Sequence, residues 1–343
     1  MNEELSYKHL SIGKICGAYG YSRQAYYKSL QVAQKRALDY EQVIEMVMQV
    51  RQYMPKAGCR KLHKELKKAF KGKGLKIGRD KLFEILEGAG MLIRPEPRYK
   101  VTTDSRHAFR IYDNLALGFN PTGPNQLWVS DITYIRLRKG FCYLSLITDA
   151  YSRYIVGYHV NDTLELTGCL KALEMALKGL PAGHNLIHHS DRGVQYCSHA
   201  YTDVLKKNNI RISMAERGNC YQNALAERMN GILKEEFYLN MTFESTGQVK
   251  KVCSQAVMLY NNYRPHLSLD YKKPEEVHYG IESARGLFSL LQDTKQTGTR
   301  QGYSKRAAAG SRTNQSPPLT EPGLFSVCSA KRKKSKKCKK SYV

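Results

Sequence analysis

Three carboxylates in this 343-residue chain have the setting of metal ligands. Asp131 lies mid-strand in LWVSDITYI, among residues that favour burial, where an acid costs free energy unless something cationic compensates it. Asp191 follows a short run in HHSDRGVQY, and a strand end leading into a glycine turn delivers a side chain to the edge of a sheet. Glu227 sits in the helix-forming stretch QNALAERMNGILKEEF, with 35 residues between it and Asp191. Hard oxygen ligands gathered from two strands and a helix suit Mg²⁺ or Mn²⁺, which keep some water and leave coordination positions for phosphate. At ~100° per residue, Asn223, Glu227, Asn230 and Lys234 form one narrow stripe, while Leu225, Met229, Ile232 and Leu233 fall opposite. The acid is therefore expected to face outward, with a lysine two turns on. A core helix with a merely solvated polar face would carry the same pattern.

Other polar groups compete for a role. His188, His189, Cys197 and His199 form the one His/Cys cluster, without the ligand spacing of a zinc site. Strand alternation should send one of His188 and His189 inward and the other toward the acids. Asp149, in LITDAYSRYIVG, is either a further metal-side acid or a turn acid pairing Ser152 or Arg153. Glu235 and Glu236 point away from the Glu227 stripe and are expected in solvent.

These residues need elements to position them. QLWVSDITYIRL, FCYLSLITDA and SRYIVGYHV are rich in aromatic and β-branched residues and separated by short turns, which predicts an antiparallel meander. TLELTGCLKALEMALKGL then reads as a helix, NLIHHS as a strand, HAYTDVLKKNN as a helix and IRISMA as a strand, before a final long helix from about residue 222. The order βββ-α-β-α-β-α is that of an α/β core with a ribonuclease-H-like mixed sheet, spanning 121–285.

All-α units precede it. HLSIGKICGAYGYSRQAYYKSLQ has a helix, a glycine turn and Ser22 as N-cap of a second helix, a helix-turn-helix outline for residues 1–38. Arg23, Gln24 and Lys28 on that second helix have side chains that reach base edges or phosphates, although a hairpin with a solvated basic face fits equally well. EQVIEMVMQVRQYM, stopped at Pro55, then GCRKLHKELKKAF and GRDKLFEILEGAGML form three basic helices. They suggest a second helix-turn-helix-like unit over 39–95, with Arg79 and Lys81 as its contacts. The stretch 94–125 has four prolines and little apolar periodicity, and contains the linker, 96–120. Residues 286–343 are expected to be a disordered basic tail, since KRKKSKKCKK holds eight basic residues in ten.

Fifty-five Lys and Arg against 30 Asp and Glu leave a net charge of +25, far beyond what solubility requires, and point to a polyanionic partner. A hydrophobic content of 42% excludes a disordered or fibrous chain. No run approaches the ~18 apolar residues of a membrane span, and the N-terminus lacks a secretion signal, so no membrane partner is expected. Nine cysteines without a CxxC pair fit reduced thiols. His266, after a proline in YRPHLSL, is either a nucleic-acid contact or part of a turn.

HSDRGVQY, NCYQNALAERMNGILKEEF and YNNYRPHLSLDYKKPEEV resemble the catalytic subunit of insertion-sequence transposases of the IS-three family, relatives of retroviral integrases. The resemblance covers about residues 10–285. It carries the family's metal-binding triad onto Asp131, Asp191 and Glu227, and its helix lysine onto Lys234, seven places beyond the glutamate. It implies two Mg²⁺ or Mn²⁺ ions per site and strand cleavage and transfer on double-stranded DNA, both the element's terminal repeats and a target. It also implies a homo-oligomer on DNA, an upstream-frame partner product, and a place in the bacterial cytoplasm at the nucleoid. Asn223, on the same helix stripe, is expected to touch DNA with Lys234. This chain has Arg228-Met229-Asn230 where the family commonly has small and aromatic residues. A nuclease of the same fold that only hydrolyses, and a catalytically dead DNA-binding regulator, are the competing readings.

Overall fold

Residues 11–93, 109–216 and 223–281 are described by a computed structural model of the chain. Ser11 accepts a hydrogen bond from Lys14 N and opens α1 (Ile12–Ala18). Gly20, at φ +71°, makes the turn, and Ser22 accepts from Ala25 N to open α2 (Arg23–Tyr53). The cap is where the sequence predicts it. The helix is longer, because the helices expected at 22–31 and from 41 are one 31-residue element. Nothing between them breaks a helix: QVAQKRALDY has no glycine or proline and is rich in good helix formers. Residues 21–38 are exposed throughout, whereas Val43, Met46, Val47 and Val50 are buried. They pack with Leu62, Leu66 and Phe70 of α3 (Cys59–Gly72) and Leu82, Ile85 and Leu86 of α4 (Arg79–Gly88).

The core starts with β1 (Leu127–Arg136), β2 (Phe141–Asp149) and β3 (Ile155–Asn161), the predicted antiparallel meander. After α5 (Leu166–Leu177) the chain returns as β4 (Ile187–Ser190), then α6 (Val194–Cys197), α7 (His199–Lys207) and β5 (Arg211–Met214). The sheet order is β3-β2-β1-β4-β5, with β4 and β5 parallel to β1. This is the ribonuclease-H-like arrangement that the element order predicts. On one face Trp128, Ile147, Leu173, Tyr201 and Leu205 form a cluster with α5 and α7. Gly157 lets α5 approach β3: a Cβ there would lie 2.2 Å from Ala172 O.

The opposite face is covered by α8 (Ala224–Glu236) and α9 (Thr246–Tyr263), followed by α10 (Pro274–Tyr279). The long helix expected from about 222 is thus two, because Phe237, Leu239 and Phe243 are buried between them and turn the chain back toward β1. Among the described residues no helix is long and apolar enough to cross a membrane. Most of the expected linker and the whole of the expected tail lie outside the described residues.

Candidate active site

The register of two parallel neighbours brings the first two acids together. Ser130 on β1 pairs with Ser190 on β4, so Asp131 on β1 and Asp191 just past the end of β4, each one residue further on, stand side by side. Alternation gives them one face. Leu127, Val129 and Ile187 lie on that face and cluster with Ala226 of α8, while Trp128 goes to the cluster on the other. Asp191 Oδ1 accepts from Gly193 N at 3.0 Å, and a Cβ on Gly193 would sit 3.0 Å from that same oxygen, so the glycine keeps the turn clear.

The third acid arrives on α8. Asn230 Nδ2 donates to Asp131 Oδ2 at 2.8 Å, and Asn223 Nδ2 donates to Ser130 O at 3.3 Å. Glu227 lies between these anchors on the same helix stripe, which turns toward β1 at residues 130 and 131. Glu227 faces outward as the stripe predicts, whereas its neighbours on the stripe, Asn223 and Asn230, are buried against β1. Asn223 is buried and holds α8 onto β1 instead of lying open to DNA, because the Ser130 carbonyl on this central strand accepts from it.

The electrostatics agree with this grouping. Burial first, then the charge of Asp191, pushes the Asp131 carboxyl up to about 7, with a smaller contribution from Glu227; the bonds from Asn230 and Ile132 N oppose the rise. Burial and Asp191 also raise Glu227. Lys234 lies with Nζ 4.5 Å from the centre of the Tyr134 ring, and it feels the charge of Asp131 while burial lowers its own pKa. Among the described residues no three His, Cys, Asp or Glu side chains are drawn tightly enough to ligate one ion as they stand.

Asp131 makes a measurable prediction. Its folded pKa is raised, so its contribution is fully stabilising below about pH 4 and is lost as pH rises through about 7. In EDTA, stability should fall over that window by up to about 4 kcal/mol, and Asp131→Asn should flatten the curve. Added Mg²⁺ should restore the wild type at pH 8. Urea midpoints of the two proteins against pH check this, and parallel curves would contradict it.

The remaining candidates have structural partners. Asp149 is fully buried, its carboxylate accepting from Ser152 N (2.7 Å), Ser152 Oγ (2.8 Å) and Asn125 N (2.7 Å), as the turn reading predicts. His188 Nε2 bonds Ser130 Oγ and Tyr201 Oη on the far face of the sheet, and burial lowers it to about 3, keeping it neutral. His189, on the acids' face, is buried with Nδ1 2.8 Å from Ser213 Oγ on β5. His266 is largely enclosed in a turn, its N–H donating to Lys272 O and its carbonyl accepting from Tyr271 N.

Glu236 overturns its expected exposure. Its carboxylate takes two bonds from Arg264 (Nε 2.8 Å, Nη2 2.7 Å) and two from Lys61 Nζ of α3 (2.9 and 3.0 Å). The arginine side chain is 4% exposed. No local pattern announces this triad, since Lys61 lies 175 positions away. Arg23, Gln24 and Lys28 are exposed on the projecting half of α2. Arg79 pairs with Asp80 at 2.7 Å, and Lys81 pairs with Glu84 at 2.7 Å and lies over the Tyr40 ring.

The sequence matches the integrase core domain family over residues 121–220, and a second integrase core domain family over 208–274. It is 33% identical over 266 residues to an uncharacterized 31 kDa protein of insertion element IS600 from Shigella sonnei, covering 76% of this chain and 96% of that protein. The transposase of IS629 from the same organism is 35% identical over 233 residues, 67% of this chain and 76% of the relative. Transposase InsF of IS3A from Escherichia coli (strain K12) is 32% identical over 193 residues, 56% and 67%. Among solved structures, the HTLV-2 integrase catalytic core domain in complex with magnesium aligns with 46% of this chain and 99% of its own length, at 20% identity and a TM-score of 0.38.

Proposed function

Because the chain belongs to the IS-three family of insertion-sequence transposases and has an integrase-type core, we propose that it cuts and joins DNA strands at its element's ends, with Asp131, Asp191 and Glu227 as the catalytic acids. The observation that carries this reading is the pairing of Ser130 with Ser190, which sets two of the acids side by side under the helix bearing the third.

The donor set fits a divalent cation. Asp131 is a carboxylate whose pKa is raised first by burial and then by the neighbouring Asp191, the state that a bound cation relieves. Asp131, Asp191 and Glu227 would hold two Mg²⁺ or Mn²⁺, which when bound activate water or a DNA 3′-hydroxyl and neutralise charge on the leaving oxygen. The chain's own groups do the positioning. Asn230 and Ile132 N each donate to one Asp131 oxygen, setting the carboxylate's plane and leaving further lone pairs on each. Lys234, held beside Tyr134, is placed to take a DNA phosphate next to the acids and orient the strand. Lys234→Ala should weaken end alignment about tenfold and Lys234→Arg less, read as joining at limiting DNA, since a phosphate contact is worth ~1–2 kcal/mol. Unchanged joining would remove Lys234 from this role.

Residues 1–95 are proposed to choose the DNA through Arg23, Gln24 and Lys28 on exposed α2. Arg79 and Lys81 would serve there by exchanging their acids for DNA. The active species is proposed to be a multimer on DNA, working with the upstream-frame product. Labelled DNA carrying the element ends, incubated with the protein with and without Mg²⁺, tests the reading. Joined strands are expected; cut strands without joining indicate a hydrolytic nuclease, and binding without cutting a regulator.

A further inference from the structure

Arg60, His63 and Lys64 of α3, Arg79 at the start of α4 and Tyr271 of the core line one pocket of about 320 Å³. It lies away from the acids, at the junction of the helical region and the core. Among the described residues Arg60 and Lys64 have no carboxylate partner, and of the lining cations only Arg79 has one, Asp80. His63 Nε2 donates to Ile77 O at 3.3 Å, which fixes the ring and leaves Nδ1 free of that bond. The Tyr271 side chain lies within electrostatic reach of Arg79.

Two features show that the pocket is held in place. Asp270 and Tyr271 have consecutive positive φ angles, 51° and 61°, a conformation costly for side chains of this size. The turn is kept there by Tyr271 N donating to His266 O (2.8 Å) and His266 N donating to Lys272 O (3.0 Å). On the other wall, Lys61 lies on α3 between Arg60 and His63, and its bonds to Glu236 fasten that helix to the core. The basic wall and Tyr271 therefore belong to one assembled surface drawn from both regions of the chain. Two cations without a carboxylate partner, Arg60 and Lys64, with Arg79 and a hydroxyl beside them, match a phosphodiester, with Arg and Lys supplying charge and Tyr271 a directed donor.

We propose that Arg60, His63, Lys64, Arg79 and Tyr271 form a phosphate-binding site that grips the DNA backbone where it crosses from the helical region to the core. This rests on the reading of DNA as substrate, and adds a contact that acts without reading sequence and without metal. Because the pocket needs both walls, DNA held there also holds the helical region against the core.

The test is equilibrium binding of the full chain to a labelled duplex without element ends, in EDTA, over roughly 50–300 mM KCl. Arg60→Ala/Lys64→Ala should make the slope of log K against log salt shallower by about 1.8, and weaken binding ~10-fold at 100 mM. Tyr271→Phe keeps the ring and charge, so it should lose ~3-fold in affinity with the slope unchanged. Lys171→Ala/Lys178→Ala, removing two exposed cations on and just after α5, should leave the slope as in the wild type. A wild-type slope for Arg60→Ala/Lys64→Ala, or an equal loss in the α5 control, overturns the site. Failure of the wild type to bind any DNA would instead overturn the reading of its function.

Discussion

Asp131→Asn, Asp191→Asn and Glu227→Gln should each lower both strand cleavage and strand joining by at least about 10³-fold, ~4 kcal/mol of transition-state stabilisation, while leaving affinity for element ends within about twofold. Each exchange keeps shape and removes one anionic ligand. For Asp131 the single amide oxygen can still accept from Asn230, at the expense of the bond from Ile132 N, so the α8 contact survives and the main loss is in charge. Cleavage and joining should fall together, because one set of acids serves both steps. Gel analysis of cut and joined strands alongside a binding isotherm separates the outcomes. A variant that cuts at the wild-type rate would remove its residue from the site, and one that loses DNA binding as well would show that its role is structural.

The largest effect on stability is expected from Glu236→Ala. Arg264, 4% exposed, would be left as a buried cation beside Lys61 with its bidentate partner gone, a change that costs about 3–5 kcal/mol. The two cations are unequal partners. The bonds and charges of Arg264 and Lys61 hold Glu236 down at about 2 against its burial. Lys61 is itself lowered to about 8, because burial and the charge of Arg264 outweigh the attraction of Glu236. Lys61→Met should accordingly cost less than Glu236→Ala, and so should the triple change Lys61→Met/Glu236→Leu/Arg264→Met, since no unpaired charge remains. The depressed carboxyl contributes stability above about pH 4.5 that is lost as pH falls through about 2. Urea midpoints of the full chain measure these differences. A Glu236→Ala protein within about 1 kcal/mol of the wild type would show that Arg264 finds water or another acid.

Much of this site is legible in the chain's local patterns. The strand containing Asp131, the turn after Asp191 and the stripe holding Glu227 all follow from periodicity, and the interval between the last two acids is a matter of counting. The cap at Ser22 is equally local, satisfied by an amide three residues on. Where local reading fails, a distant partner has decided. The 223–234 stripe looks solvent-facing because Asn, Glu and Lys are polar, and Glu227 is exposed, yet Asn223 and Asn230 are buried because β1 offers Ser130 O and Asp131 to receive them. Helix periodicity defines the two faces of an amphipathic helix; it does not say which face meets a polar surface.

The sequence by itself determined which groups exist and the order in which they arrive: three acids, a lysine two turns past the last, and strands alternating at a period of two. Those are properties of neighbouring residues and of backbone geometry. Only the tertiary structure decided that Ser130 aligns with Ser190, so that Asp131 stands beside Asp191, and that Glu236 lies between Arg264 and a lysine from another region. Register and burial are set by the free energy of packing surfaces far apart in the chain, where shifting a strand by one residue would turn the acid to the other face. The same reason puts the Glu236 triad and the Tyr271 pocket beyond local reading, since each is completed by α3, more than a hundred residues before Glu236 and Tyr271 in the chain.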